Sequence, residues 1–98
     1  TMLGVLITAE QEEVAEEVAA DLAARLRQQP YAGELRIIGP ATPVISKVKD
    51  MYRRILYLKS EKEDLVLQGK DTLEQYAGNM EEQGKFRIYF DLNPMKGY

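Results

Sequence analysis

Hydrophobic spacing along this chain changes from strand-like to helix-like and back, and then does so again, an order that leaves few folds open. Met2 to Ile7 (MLGVLI) is a short, nearly continuous apolar run, suited to a strand buried on both faces or set in the middle of a sheet. Thr8 and Gln11 then stand at capping-box spacing. Glu10, Glu12 and Glu13 put negative charge where a helix dipole favours it, so a helix is expected to start here. Val14, Val18, Leu22 and Leu26 recur every four residues, and Ala15, Ala19 and Ala23 widen the stripe. Arg25 and Arg27 complement the far end of the dipole, and Pro30 and Gly33 close the helix.

A second strand is expected over Leu35 to Ile38, ended by Gly39-Pro40, because proline removes a ladder donor and glycine permits the bend. Pro40 to Asp50 then reads as a long, mobile connection carrying Lys47 and Lys49, and long loops are disproportionately functional. Met51 to Lys59 is a third strand, with Tyr52, Arg54, Leu56 and Leu58 on one face and Arg53, Ile55, Tyr57 and Lys59 on the other. Ser60 and Glu63 repeat the capping-box spacing before a second helix, in which Val66, Leu73, Ala77 and Met80 keep helical register. Gly69 interrupts its middle, and the chain is expected to loosen from Gly78 to Gly84. Lys85 to Asn93 alternates cleanly, with Phe86, Ile88, Phe90 and Leu92 inward and Arg87, Tyr89 and Asp91 outward, and Pro94 ends this fourth strand.

The order β-α-β-β-α-β implies an α+β domain, the split βαβ or ferredoxin-like sandwich: a four-stranded antiparallel sheet with two helices on one face. Right-handed crossovers put the first and third strands in the centre, the fourth beside the first and the second beside the third. The other sheet face stays open, and on it lie Arg53, Tyr57, Arg87 and Tyr89. At 98 residues the chain is the size of one domain with one core.

Composition narrows the chemistry. The chain has no His and no Cys, the residues that supply most zinc ligands, thiolate nucleophiles and bases titrating near neutral pH. No catalytic apparatus and no cofactor are expected within this domain. The cysteine-free composition is permissive for the cytoplasm, and no run approaches the roughly 18 apolar residues that span a bilayer. Net charge is −3, divided unevenly: residues 1 to 39 carry −4, residues 40 to 60 carry +4 and residues 61 to 98 carry −3. Because screening limits electrostatic reach to roughly 8–10 Å, the local basic stretch matters more to a partner than the total.

Two further patterns are weak. Gln68-Gly69-Lys70-Asp71-Thr72 superficially resembles a phosphate loop, but Asp71 stands where Ser or Thr is required and no glycine occupies position 64. The glutamates from Glu10 to Glu17 splay around a helix, whereas Ca²⁺ ligands converge from a loop. The arginine and tyrosine set on the open face offers a physical basis for nucleic-acid binding, since guanidinium groups pair with phosphates and aromatic planes accept stacked bases; the same set also reads as a wet sheet face whose Arg and Tyr stems cover apolar backbone.

Several short elements, in this order and spacing, also carry a resemblance. Ile37-Ile38-Gly39-Pro40-Ala41-Thr42-Pro43, then Lys49-Asp50-Met51-Tyr52-Arg53 ahead of an apolar strand, a capped helix, and Tyr89-Phe90-Asp91-Leu92-Asn93-Pro94 resemble the C-terminal domain of the replication-restart helicase PriA, primosomal protein N-prime. The likeness covers nearly the whole chain, with Met51 and Arg54 where many members have a basic and an aromatic residue. It implies a fold similar to ribosomal protein S10 and a place at the end of a larger ATP-dependent 3′-to-5′ DNA helicase. ATP, Mg²⁺ and zinc would belong to the upstream parts of that parent. It further implies branched or single-stranded DNA, single-stranded-DNA-binding protein and the parent's other domains as partners.

The resulting expectation is a DNA-binding and scaffolding domain. Lys47, Lys49, Arg53, Arg54 and Lys59 supply phosphate contacts, Tyr52, Tyr57 or Tyr89 offer stacking surfaces, and Arg87 stands on the same open face. The alternatives are a protein-interaction module that receives an acidic tail and a stand-alone ligand-sensing domain on the same widely used fold.

Overall fold

The computed structural model describes residues 1–81 and 85–94 of the chain. Five strands and two helices follow in order: β1 (Met2–Ala9), α1 (Glu12–Arg27), β2 (Arg36–Ala41), β3 (Lys47–Val48), β4 (Met51–Lys59), α2 (Glu63–Glu81) and β5 (Phe86–Leu92), with a single 3₁₀ turn at Ala32–Glu34 before β2. The sheet runs β2-β4-β1-β5 with every pair antiparallel, and β3 is a further short strand on β4. The architecture is the α+β ferredoxin-like sandwich that the order of periods implies, with the first strand and the Met51–Lys59 strand in the centre.

The central strand β1 divides its residues by parity. Leu3, Val5, Ile7 and Ala9 are fully buried beneath the helices, while Met2, Leu6 and Thr8 are partly exposed on the other face. Leu56 and Leu58 of β4 join the buried layer, as do Ala15, Val18, Ala19, Leu22, Ala23 and Leu26 of α1. Each leucine buried this way contributes about 1.5–3 kcal/mol by removing apolar surface from water.

Local expectations fail where tertiary pairing outweighs them. Thr8 does not cap α1. It lies in β1 opposite both Arg53 and Arg87, and Ala9 continues the strand opposite Tyr52 and Phe86. Gln11 is the residue at the cap, using its backbone carbonyl to accept from Val14 N at 3.1 Å and Ala15 N at 3.2 Å, with no side-chain cap. Two sheet ladders on either side of Thr8 outweigh one cap bond worth about 1 kcal/mol. Ser60 likewise does not cap α2: it forms a turn two residues ahead of Lys62, the residue before the helix, its Oγ accepting from Lys62 N at 3.1 Å.

The second strand does not stop at Gly39-Pro40. It runs to Ala41 with a register shift between Ile38 and Ala41. Proline is tolerated because β2 is an edge strand and the irregularity removes its ladder position. Gly39 is required there: its φ is +103°, and a Cβ would stand 2.8 Å from the backbone oxygen of Ile55. Arg27 of α1 donates to the Gly39 carbonyl at 2.9 Å, tying the bulge to the helix layer.

The long connection before β4 is also more ordered than its length suggests. Lys47 and Val48 pair with Tyr52 and Met51, and the turn between them places Lys49 at φ 52° and Asp50 at φ 65°. Two successive left-handed residues make the two-residue hairpin turn whose twist matches antiparallel strands.

In α2, Gly69 marks close packing. A Cβ there would meet Leu58 Cδ2 at 2.8 Å and Leu35 Cδ2 at 3.2 Å, so the missing side chain lets the helix approach the sheet. The helix continues past Gly78 to Glu81 instead of loosening at Gly78. The side chain of Met80 and residues 82–84 lie outside the described residues. Tyr76 fastens α2 to α1: its hydroxyl donates to Asp21 Oδ2, and the Arg25 guanidinium stacks 3.7 Å from its ring centre. That bond to Asp21, with some desolvation, holds the Tyr76 hydroxyl above its ordinary pKa. No helix among the described residues is long and apolar enough to cross a membrane.

Candidate nucleic-acid interface

The uncovered face of the sheet is built row by row from the registers of β4, β1 and β5. Arg53, Thr8 and Arg87 form one row, Ile55, Leu6 and Tyr89 the next, and Tyr57, Gly4 and Asp91 the third. Lys59 lies opposite Met2 and Arg36, and Ile38 opposite Tyr57, extending the face onto β2. The result is an apolar and aromatic middle, in which Ile55 is itself buried, with cations at both ends and the exposed carboxylate of Asp91 in the third row. Arg53 and Arg87 stand two strand spacings apart, about 9–10 Å.

Arg53 is held in place. Its guanidinium donates to the Ile45 carbonyl at 3.0 Å and its backbone N–H to the Ser46 carbonyl at 2.8 Å. Tyr89 is 51% exposed, and Arg87 and Lys59 are exposed as well. A groove of about 460 Å³ lies between the β3–β4 hairpin and β5, lined by Leu6, Thr8, Val48, Lys49, Met51, Arg53, Arg87 and Tyr89.

The sequence-derived set thus divides. Arg53, Tyr57, Lys59, Arg87 and Tyr89 share the open face, and Lys49 joins them at the hairpin turn. Lys47, Tyr52 and Arg54 belong to the other side. Lys47 sits opposite Tyr52, its Nζ 4.9 Å from the ring centre and 3.9 Å from Asp50 Oδ1, so the mobile loop lysine is a strand residue in a local cluster. Tyr52 packs against the core.

Arg54 requires a correction. It is 7% exposed beneath α1, with Nη2 3.5 Å from Glu12 Oε2 and 3.8 Å from Glu16 Oε2, and Nη1 donating to the Arg53 carbonyl at 2.8 Å. A cation in a helix-covered layer must be matched, and the i,i+4 glutamates on α1 match it. It is a packing residue and leaves the set of candidate phosphate contacts expected from the sequence.

Leu6, Thr8, Val48, Met51 and Arg36 are participants in this face that the sequence reading passed over. The parity of β1 was the available signal: Met2, Gly4, Leu6 and Thr8 form the alternate set of a central strand. Val48 had no signal, because its hairpin lacks the glycine or asparagine that usually marks such a turn. Among the described residues no group of three or more acidic side chains converges to hold a metal ion.

No protein-family model matches the chain, and no curated protein matches it. Among solved structures it is similar to a de novo designed protein with ferredoxin fold determined by solution NMR, at TM-score 0.62 and 14% identity over 98% of this chain and 86% of that one. It is also similar to the de novo designed protein Foldit4, at TM-score 0.65 and 4% identity over 95% of this chain and 97% of that one. At such identities the likeness is one of backbone architecture, and the chain has the ferredoxin-like fold.

Proposed function

We propose that this domain binds nucleic acid on its open sheet face, without sequence preference, as the DNA-contacting and scaffolding domain of a replication-restart helicase of the kind its sequence resembles. The carrying observation is the Arg53–Thr8–Arg87 row beside Tyr89 and Tyr57, which combines phosphate-pairing and base-stacking groups on one surface. The helix layer favours the same orientation, because the carboxylates of Glu12, Glu13, Glu16 and Glu17 lie on α1 and repel a polyanion from that side. A handful of phosphate contacts gives weak binding, with Kd about 10⁻⁴–10⁻⁶ M, weakening by about 0.7–0.9 log units per contact per tenfold rise in salt.

Titration of single-stranded and forked DNA at two salt concentrations tests the reading. Measurable binding with a steep salt dependence is expected. Absent binding at low salt, or binding indifferent to salt, removes nucleic acid as the partner.

A second reading has one observation in its favour. Val44 and Ile45 are 97% and 61% exposed between β2 and β3, next to Lys47 and Lys49, a pairing of apolar and cationic groups suited to an acidic peptide tail such as that of single-stranded-DNA-binding protein. Shift mapping with such a peptide separates the two: perturbation confined to residues 42–49 favours the peptide, and perturbation across β1, β4 and β5 favours the strand of nucleic acid.

A further inference from the structure

At the hairpin end the open face stops being flat. Val48 and Met51, paired across the β3–β4 hairpin, share the face of Arg53, and β3 extends it sideways beyond β4. On the far side Arg87 and Tyr89 rise from β5. The groove between them, about 460 Å³, is floored by Leu6 and Thr8. That volume falls within the range of about 300–1,000 Å³ in which small-molecule sites usually lie.

We infer that this groove seats a single unstacked nucleotide unit, its base between Tyr89 and the Val48–Met51 wall and its phosphate held by Arg53 and Arg87. The inference rests on the nucleic-acid reading and narrows it from a charged surface to a defined seat. Three features select that occupant over others. Arg53, Arg87 and Lys49 surround the opening, so the seat carries positive charge that a purely apolar peptide would bring nothing to complement. A simple inorganic or carboxylate anion would satisfy the arginines but leave Val48 and Tyr89, 40% and 51% exposed, in water. A nucleotide supplies both a phosphate and a flat apolar face. The Ile45 carbonyl bond to Arg53 holds one guanidinium at the groove before any ligand arrives, which lowers the ordering cost of binding. Duplex DNA keeps the flat faces of its bases stacked on one another and presents only phosphates and base edges, so the seat discriminates in favour of single strands.

Methyl and aromatic NMR on the whole chain tests the seat with three probes: thymidine monophosphate, an octathymidylate, and a fully paired duplex of the same length. The single strand is expected to shift the methyl signals of Leu6, Val48 and Met51, and the duplex to leave them in place. Tyr89→Ala and Val48→Asp, both at exposed positions, should weaken octathymidylate binding by at least about fivefold, the low end for losing one base–aromatic stack. Arg36→Gln, on the same face at the opposite end, should cost only the effect of one distant charge.

Shifts with the monophosphate as tight as those with the octamer would support the seat and identify a free nucleotide as its occupant. Tighter octamer binding would support the seat as part of a strand-binding track. If the octamer binds but the three methyl signals stay still, or if Tyr89→Ala and Arg36→Gln weaken it equally, the seat is overturned while the broader nucleic-acid reading stands. If neither octamer nor duplex binds, both fall together.

Discussion

Arg53 and Arg54 are consecutive on β4 and lie on opposite faces of the sheet. Arg54 points beneath α1, where it is 7% exposed and matched by Glu12 and Glu16. Arg53 points to the uncovered face, where a backbone carbonyl steers its guanidinium beside a groove shared with Arg87. The difference teaches that positive charge in a sequence has no functional meaning until its face is known. On the covered face a cation must be neutralised within the fold. On the open face the fold needs only to position it.

The strongest way to break that division is to truncate on both faces and compare. Leu58→Ala removes a fully buried side chain that also meets Gly69 of α2. Urea denaturation should show a loss of about 2–5 kcal/mol. Tyr89→Ala, on the open face and half exposed, should change stability by less than about 1 kcal/mol while weakening DNA binding. Comparable stability losses would mean that the open face is also a structural core.

The arginine pair gives the sharper test. Arg54→Ala loses the packing of its stem and its bonds under α1, and should destabilise the domain by about 1–2 kcal/mol. The affinity of the folded protein for DNA should stay within about twofold, since no phosphate contact is removed. Arg53→Gln loses the guanidinium bond to the Ile45 carbonyl and should cost about 0.5–1.5 kcal/mol of stability, but unlike Arg54→Ala it should lower the salt slope of DNA binding by about 0.7–0.9. An equal drop in affinity for both variants would show that long-range charge, and not the geometry of one face, governs binding.

How much of this was legible beforehand depends on the range of the interaction. The faces of Met51 to Lys59 were readable because alternation is local, and the element order followed from changes of period. The failure at Arg54 had a different origin. Alternation places it on the face of Leu56 and Leu58, yet its role needs the knowledge that Glu12 and Glu16, about forty residues earlier, sit one helical turn apart above it. Gly39-Pro40 reads as a terminator in one dimension and becomes a bulge once β2 is known to be an edge strand. Gly69 reads as a weak point in a helix and is where Leu58 and Leu35 fill the space of its absent side chain. The groove was the least legible part, since one of its walls depends on a hairpin turned by Lys49 and Asp50, residues without a strong turn signature.

The seam between α1 and α2 offers a pH test confined to the covered side. Tyr76 in its neutral form donates to Asp21, which raises its pKa in the folded state above the ordinary value of 10.0. The stability from this bond is therefore fully present below the unfolded pKa and is lost as pH rises through the folded one. Ultraviolet titration should show one tyrosine ionising late, and Tyr76→Phe should abolish that step without altering DNA binding near neutral pH. A normal tyrosine titration in the folded protein would remove Tyr76 as a link between the helices.

The smallest expected effect concerns the hairpin that separates Lys47 on one side of the sheet from Lys49 beside the groove on the other. Asp50 adopts φ 65° directly after Lys49 at φ 52°, a conformation that an L-residue with a Cβ adopts only at a cost. Asp50→Gly relieves that cost at one of the two positions, while glycine gives back part of the gain through greater freedom in the unfolded chain. The ion pair to Lys47 contributes little against this, because it spans 3.9 Å and the Asp50 side chain is 98% exposed. The net expectation is a stabilisation of about 0.5 kcal/mol by thermal or urea denaturation. Because the substitution also removes the negative charge of Asp50 beside Lys49, single-stranded DNA binding should tighten slightly and become somewhat more salt-sensitive. Weaker binding in a stabilised variant would mean that Asp50 contributes to the groove beyond shaping its turn, and would move the boundary between the two faces of β4 to include the hairpin itself.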